Sequence, residues 1–166
     1  MLTDAKKMEL KRDAETSKVG PVFQEAFSHC RWRKVFLKFL EEVWLGENLE
    51  YYKHSSFEKI LTHVYSLIEN TRGLGILVAY DIASGICKHH GTFIDKVYIV
   101  GNGPKRAVKI LGLKLKNQKI GNLMVKYVEV GEVIEAFDKH GFAMDEYMRA
   151  NKDGDALESY LCKWQK

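Results

Sequence analysis

Gly73-Leu74-Gly75-Ile76-Leu77-Val78-Ala79 and Gly101-Asn102-Gly103-Pro104-Lys105-Arg106-Ala107 carry one pattern twice, Gly-x-Gly followed at a fixed distance by Ala, within residues 68 to 111. Such a pattern suits a tight turn into a helix N-terminus. The glycines, Gly73 and Gly75 in one copy and Gly101 and Gly103 in the other, permit backbone angles and close approaches that a Cβ forbids. A helix that opens just after them leaves its first amide N–H groups without intrahelical acceptors, and with the helix dipole these favour a phosphate oxygen. The alanine lets the new helix lie close to the element that entered the turn. In the second copy Pro104 fits the start of a helix, where its missing N–H costs nothing. Lys105, Arg106 and Lys109 follow it directly and are expected to meet a phosphate held by the turn.

The two copies together resemble the tandem form of the helix-hairpin-helix motif, a module that binds the DNA backbone without sequence preference. The resemblance covers roughly a quarter of the chain and implies a helix on each side of both turns. Leu74 matches the apolar residue that such hairpins bury at the turn, whereas Asn102 departs from it. A more distant similarity is to the helix-hairpin-helix DNA glycosylases, which carry an essential aspartate beyond the hairpin. Asp95 occupies a comparable place here, and the resemblance implies a carboxylate that stabilises charge on the sugar or activates the attacking nucleophile. Where bifunctional members have a nucleophilic lysine this chain has Leu77, which cannot form a Schiff base.

Charge along the chain points the same way. Residues 96 to 128 hold eight basic residues (Lys96, Lys105, Arg106, Lys109, Lys114, Lys116, Lys119 and Lys126) and no acid, within a chain whose net charge is only +4. A basic block that begins at a phosphate-competent turn is the electrostatic footprint of a nucleic-acid binder. The chain of 166 residues, 46% apolar, is long enough for one domain with a sizeable core. It has no apolar run approaching the roughly 20 residues that span a bilayer, and its charged beginning lacks the apolar core of a signal peptide. A soluble, cytoplasmic protein with no membrane partner is therefore expected. Cys30, Cys87 and Cys162 are odd in number and widely separated, which argues against a disulfide scaffold.

Read in order, residues 1 to 18 are expected to form a peripheral or frayed charged helix, and Val22 to Trp44 carry apolar residues at helical spacing. Ser55 and Glu58 offer a capping box for a helix with Ile60, Leu61, Val64, Leu67 and Ile68 inward. The next helix runs from Ile76 to a stop at Gly91, and the one after the second turn ends near Gly112. Residues 113 to 121 read as a lysine-rich connection. Val97-Tyr98-Ile99-Val100 reads as a strand or a very short helix, Leu123-Met124-Val125-Lys126-Tyr127-Val128 has strand composition, and as strands the two are expected to pair. Helices follow over residues 132 to 139, closed by Gly141, then 144 to 150 and 156 to 164. The expected fold is mainly α, a single domain over 1 to 166 with residues 56 to 112 as its tandem hairpin core and one small two-stranded β element.

Cys87, His89 and His90, with His29 and Cys30 elsewhere, lack a ligand spacing that converges on a metal, so no metal and no cofactor are expected. The function expected is nucleic-acid backbone binding, with duplex DNA as partner, through Gly73, Gly75, Gly101, Gly103, Lys105, Arg106 and Lys109. Two alternatives of other classes stand beside it: a glycosylase-like enzyme using Asp95, and an interaction domain in which the turns merely join packed helices.

Overall fold

The structure is a computed structural model that describes residues 52 to 70, 72 and 75 to 166. The helices expected before residue 52, and Gly73 and Leu74 of the first turn, lie outside the described residues. The chain divides into two compact units, residues 1 to 92 and 93 to 166. The division falls between the two Gly-x-Gly copies.

In the first unit, α1 (Phe57–Ile68) and α2 (Ile76–His90) pack against each other. The stripe of α1 buries Ile60, Leu61, Val64 and Ile68, as its spacing predicts, and Phe57 as well, while Leu67, also expected inward, is only half-buried. Its cap lies one residue later than the expected Ser55: Ser56 has the extended backbone, and its hydroxyl accepts from the Lys59 amide at 3.3 Å. Glu58 is then the second helical residue, too early to close a capping box. α2 opens at Gly75 and ends where Gly91 adopts φ +67, with the Thr92 amide bonded back to the Cys87 carbonyl at 2.8 Å. That is the left-handed stop its glycine predicts.

The second unit runs β1 (Lys96–Tyr98), α3 (Asn102–Leu111), β2 (Lys116–Ile120), β3 (Leu123–Glu129), α4 (Val130–His140), α5 (Glu146–Asn151) and α6 (Gly154–Trp164). The strands form one antiparallel sheet in the order β1-β3-β2. Val97 pairs with Val128, which confirms the expected partnership of those segments. The sheet has a third strand, however, drawn from the lysine-rich stretch read as a connection. β2 buries only Ile120 and presents Lys116, Asn117 and Lys119 to solvent, so the two-residue periodicity that announces a strand is nearly absent. Charged residues on an edge strand also discourage further pairing.

The core of this unit joins Val97, Val108, Leu111, Val128, Val133, Phe137, Leu157 and Leu161. α3 packs on α6, α6 on β1, and α4 on β3. Gly112 and Gly141 close α3 and α4 at φ +68 and +69, each with the following amide bonded back into the last turn. A capping box does occur, at α4: Glu129 and Glu132 exchange side-chain and backbone bonds, the Glu129 amide donating to Glu132 Oε2 at 3.0 Å.

The start of α6 ties this unit together. Asp153 Oδ2 accepts from the Ala156 amide at 3.0 Å as a helix cap, and its Oδ1 accepts from the Ile94 amide at 3.3 Å. The Gly154 amide donates to the Ile94 carbonyl at 2.7 Å. A Cβ on Gly154 would run into the backbone carbonyl of Lys96. Glycine is therefore required there for close approach to the strand, a role the sequence reading, which began this helix at residue 156, did not assign.

Candidate nucleic-acid interface

α3 is built from two stripes at identical helical spacing. Pro104, Ala107, Val108 and Leu111 are buried, while Asn102, Lys105, Arg106 and Lys109 are exposed. Residues at i, i+3, i+4 and i+7 share one face of a helix, so the four polar side chains form a continuous line beginning at the N-terminus. None of the three cations pairs with an acid among the described residues. The basic block as a whole is exposed at Lys114, Lys116, Lys119 and Lys126 too. Two of its members are engaged. Lys116 bridges to Glu132 at 2.8 Å, and the Lys96 ammonium lies 5.2 Å from the centre of the Tyr127 ring. The bond from Lys116, followed by the backbone bond from Glu129, holds the Glu132 carboxyl below the usual carboxylate range.

The helix N-terminus itself is arranged differently from expectation. Gly101 is the cap, at φ −93, and Pro104 is the third helical residue instead of the first. Its missing N–H still costs nothing there, because the first intrahelical bond is from the Lys105 amide to the Gly101 carbonyl at 3.4 Å. The Asn102 and Gly103 amides precede that bond, and Asn102 is exposed. Gly103 has no left-handed backbone. Its hydrogen faces α6 instead, where an added Cβ would come within 2.6 Å of Cys162 Sγ. What enters this turn is strand β1, so the helix that the resemblance implies on its incoming side is absent; β-branched Val97, Ile99 and Val100 favour extended backbone, and Val97 takes its place in the sheet.

At the first copy, Gly75 caps α2 at φ −128 and ψ −165 with nothing within 4 Å of an added Cβ. Gly75 therefore has an extended backbone that any residue can adopt. Leu77, which stands where a Schiff-base lysine would be, is 43% exposed on the first turn of α2. The two copies lie in different units.

Asp95 is exposed and caps no helix. It opens onto a cleft of about 580 Å³ in the second unit, beside Phe93, which is 57% exposed. Three further carboxylates line this cleft, Glu129, Glu135 and Asp138, against two cations, Arg149 and Lys152. Arg149 forms a two-pronged bond to Asp138 at 2.6 and 3.1 Å, and this holds the Asp138 carboxyl below its ordinary range. The cleft is consequently richer in negative than in positive charge, the opposite of α3. Among the described residues no group of three or more His, Cys, Asp or Glu side chains converges as metal ligands, and no helix is long and apolar enough to cross a membrane. Compared with known protein families, curated proteins and solved structures, the chain matches none.

Proposed function

We propose that the second unit binds the phosphate backbone of nucleic acid, duplex DNA foremost, without reading its sequence. The observation that carries this is the exposed line Asn102, Lys105, Arg106 and Lys109 leading away from the α3 N-terminus. A phosphate at the Asn102 and Gly103 amides gains the helix dipole, and the cations along the same face meet the phosphates beside it. This reading needs only a helix N-terminus and its stripe, so a strand entering the turn is compatible with it. Gly73 and Gly75 belong to the reading as phosphate-binding residues of the first unit, taken by itself. The glycosylase-like reading has one observation in its favour, the cleft beside Asp95, but its four carboxylates outnumber its two cations, of which Arg149 is already bonded to Asp138, and this negative excess repels the strand that such an enzyme must hold.

The test is fluorescence anisotropy on a labelled duplex across a salt series. Changing Lys105, Arg106 and Lys109 together to Ala removes three phosphate contacts, and the slope of log affinity against log salt is expected to flatten by about 2.7. Unchanged affinity and slope, or no binding by the unaltered protein, would return the unit to the class of interaction domains.

A further inference from the structure

The hairpin of β2 and β3 presents a second basic surface that no motif announces. Its register sets Asn117 opposite Lys126 and Lys119 opposite Met124. Residues directly opposite each other in an antiparallel pair project from the same face, so these four form one patch, and all four are exposed, Met124 by 65%. The other face of the hairpin is committed inward. It buries Ile120 and Val125, and Gln118 accepts a hydrogen bond from the Tyr98 hydroxyl at 3.2 Å. The strands turn through the two residues Gly121 and Asn122, Gly121 at φ +59, which is the short, stiff connection that keeps a hairpin in register. β1 pairs with residues 127 to 129 of β3, and the Ile99 amide continues the ladder to the Lys126 carbonyl at 2.8 Å, so the hairpin extends as a two-stranded ribbon from Lys126 towards its turn.

We infer that the Asn117, Lys119, Met124 and Lys126 face of this ribbon docks on the nucleic-acid duplex as a second contact beside α3. This rests on the backbone-binding reading above. Charge complementarity selects the occupant: the face carries two ammonium groups and an amide, it contains no acid, and neither Lys119 nor Lys126 forms an ion pair among the described residues. Lys116, the cation engaged with Glu132, belongs to the opposite set of side chains. A two-stranded ribbon is also an element that the major groove of a duplex admits. α3 ends at Gly112 and β2 starts at Lys116, so a short link bearing the exposed Lys114 joins the two surfaces. Met124 supplies an apolar contact between the lysines, suited to the sugar and base edges between phosphates.

The experiment compares the unaltered full chain, the α3 triple alanine variant, and Lys119→Ala with Lys126→Ala, all on one duplex over the same salt series. The ribbon variant is expected to flatten the salt slope by about 1.8, two contacts' worth. Adding Met124→Glu to the unaltered chain is expected to weaken binding at least tenfold by placing a carboxylate between the two lysines. Circular dichroism checks that each variant is folded, and Asn122→Gly, a change at the turn that leaves the face intact, serves as a binding-competent control. If the unaltered protein binds and the α3 variant loses its slope while the ribbon variant keeps it, the ribbon inference is overturned and the α3 reading stands. If the unaltered protein ignores the duplex, both fall. Vesicles rich in anionic lipid are titrated in parallel: binding to them that Lys119→Ala with Lys126→Ala abolishes, with duplex binding unchanged, identifies a membrane surface as the occupant and overturns the inference.

Discussion

The two Gly-x-Gly copies share their letters but not their geometry. In the first, the second glycine is the cap: Gly75 precedes α2, and Ala79 is the fourth helical residue. In the second, the first glycine is the cap: Gly101 precedes α3, and Ala107 is the sixth. Both alanines are fully buried, so each copy delivers a helix start and a close-packed alanine through a different register. The neighbours explain the offset. Gly103 lacks the Cβ that would clash with the ring of Pro104, so the residue before this proline can be helical and the helix starts earlier. Gly75 is followed by Ile76, and open space surrounds it. Gly103 is tightly constrained by what packs on it, and Gly75 is not.

Glycine substitutions sharpen this contrast, and the largest effect is expected in the unit that holds the tight copy. Gly154→Ala would drive a Cβ into the Lys96 carbonyl, a backbone group that cannot swing aside. Relief requires breaking the Gly154 to Ile94 bond or the Asp153 ties that hold the start of β1. A loss on the order of 3 kcal/mol is expected in urea unfolding, at the upper end for overpacking. A change below about 1 kcal/mol would mean that α6 and β1 are less closely joined than described.

Gly103→Ala comes next. The added Cβ meets Cys162 Sγ at 2.6 Å, with the Cα and Cβ of Cys162 at 3.4 Å. A sulfur can shift where a carbonyl cannot, and alanine is the better helix former by about 0.8 kcal/mol. The net loss is expected near 1 kcal/mol. Combining it with Cys162→Ala, which removes the obstructing atom, should recover most of that loss as a coupling energy, because residues in contact are not additive. Full additivity would show that Gly103 and Cys162 do not compete for the same space.

Helix ends were the most legible part of the fold. Gly91, Gly112 and Gly141 stop their helices because the left-handed residue that ends a helix is strongly biased to glycine. β2 was illegible for a corresponding reason, since an edge strand that buries only Ile120 leaves no alternation to read. The exposed cations of α3 could be named from sequence because they follow Pro104 at helical spacing. Lys119, Met124 and Lys126 could not be grouped, because their common face exists only through the pairing of β2 with β3. Nor does any local pattern show that Asp95 shares a cleft with Glu135 and Asp138, which are brought there by the start and course of α4.

The smallest effect is expected at Gly75, the loose copy. Alanine there meets nothing within 4 Å, and φ −128 is ordinary for any residue. Two small terms oppose each other. Alanine is a poorer helix cap than glycine, a cost of several tenths of a kcal/mol, while the stiffer residue lowers the entropy of the unfolded chain by a comparable roughly 0.4–1 kcal/mol. The melting temperature of Gly75→Ala should therefore stay within about 2 °C of the unaltered protein, given some 2–4 °C per kcal/mol for a chain of this size. Gly75→Ser adds a hydroxyl able to accept from the first-turn amides of α2, where no side chain now caps, and should melt slightly higher than the alanine variant. If Gly75→Ala instead unfolds as readily as Gly103→Ala, the two copies carry the same constraint, and the offset between their caps has no energetic consequence.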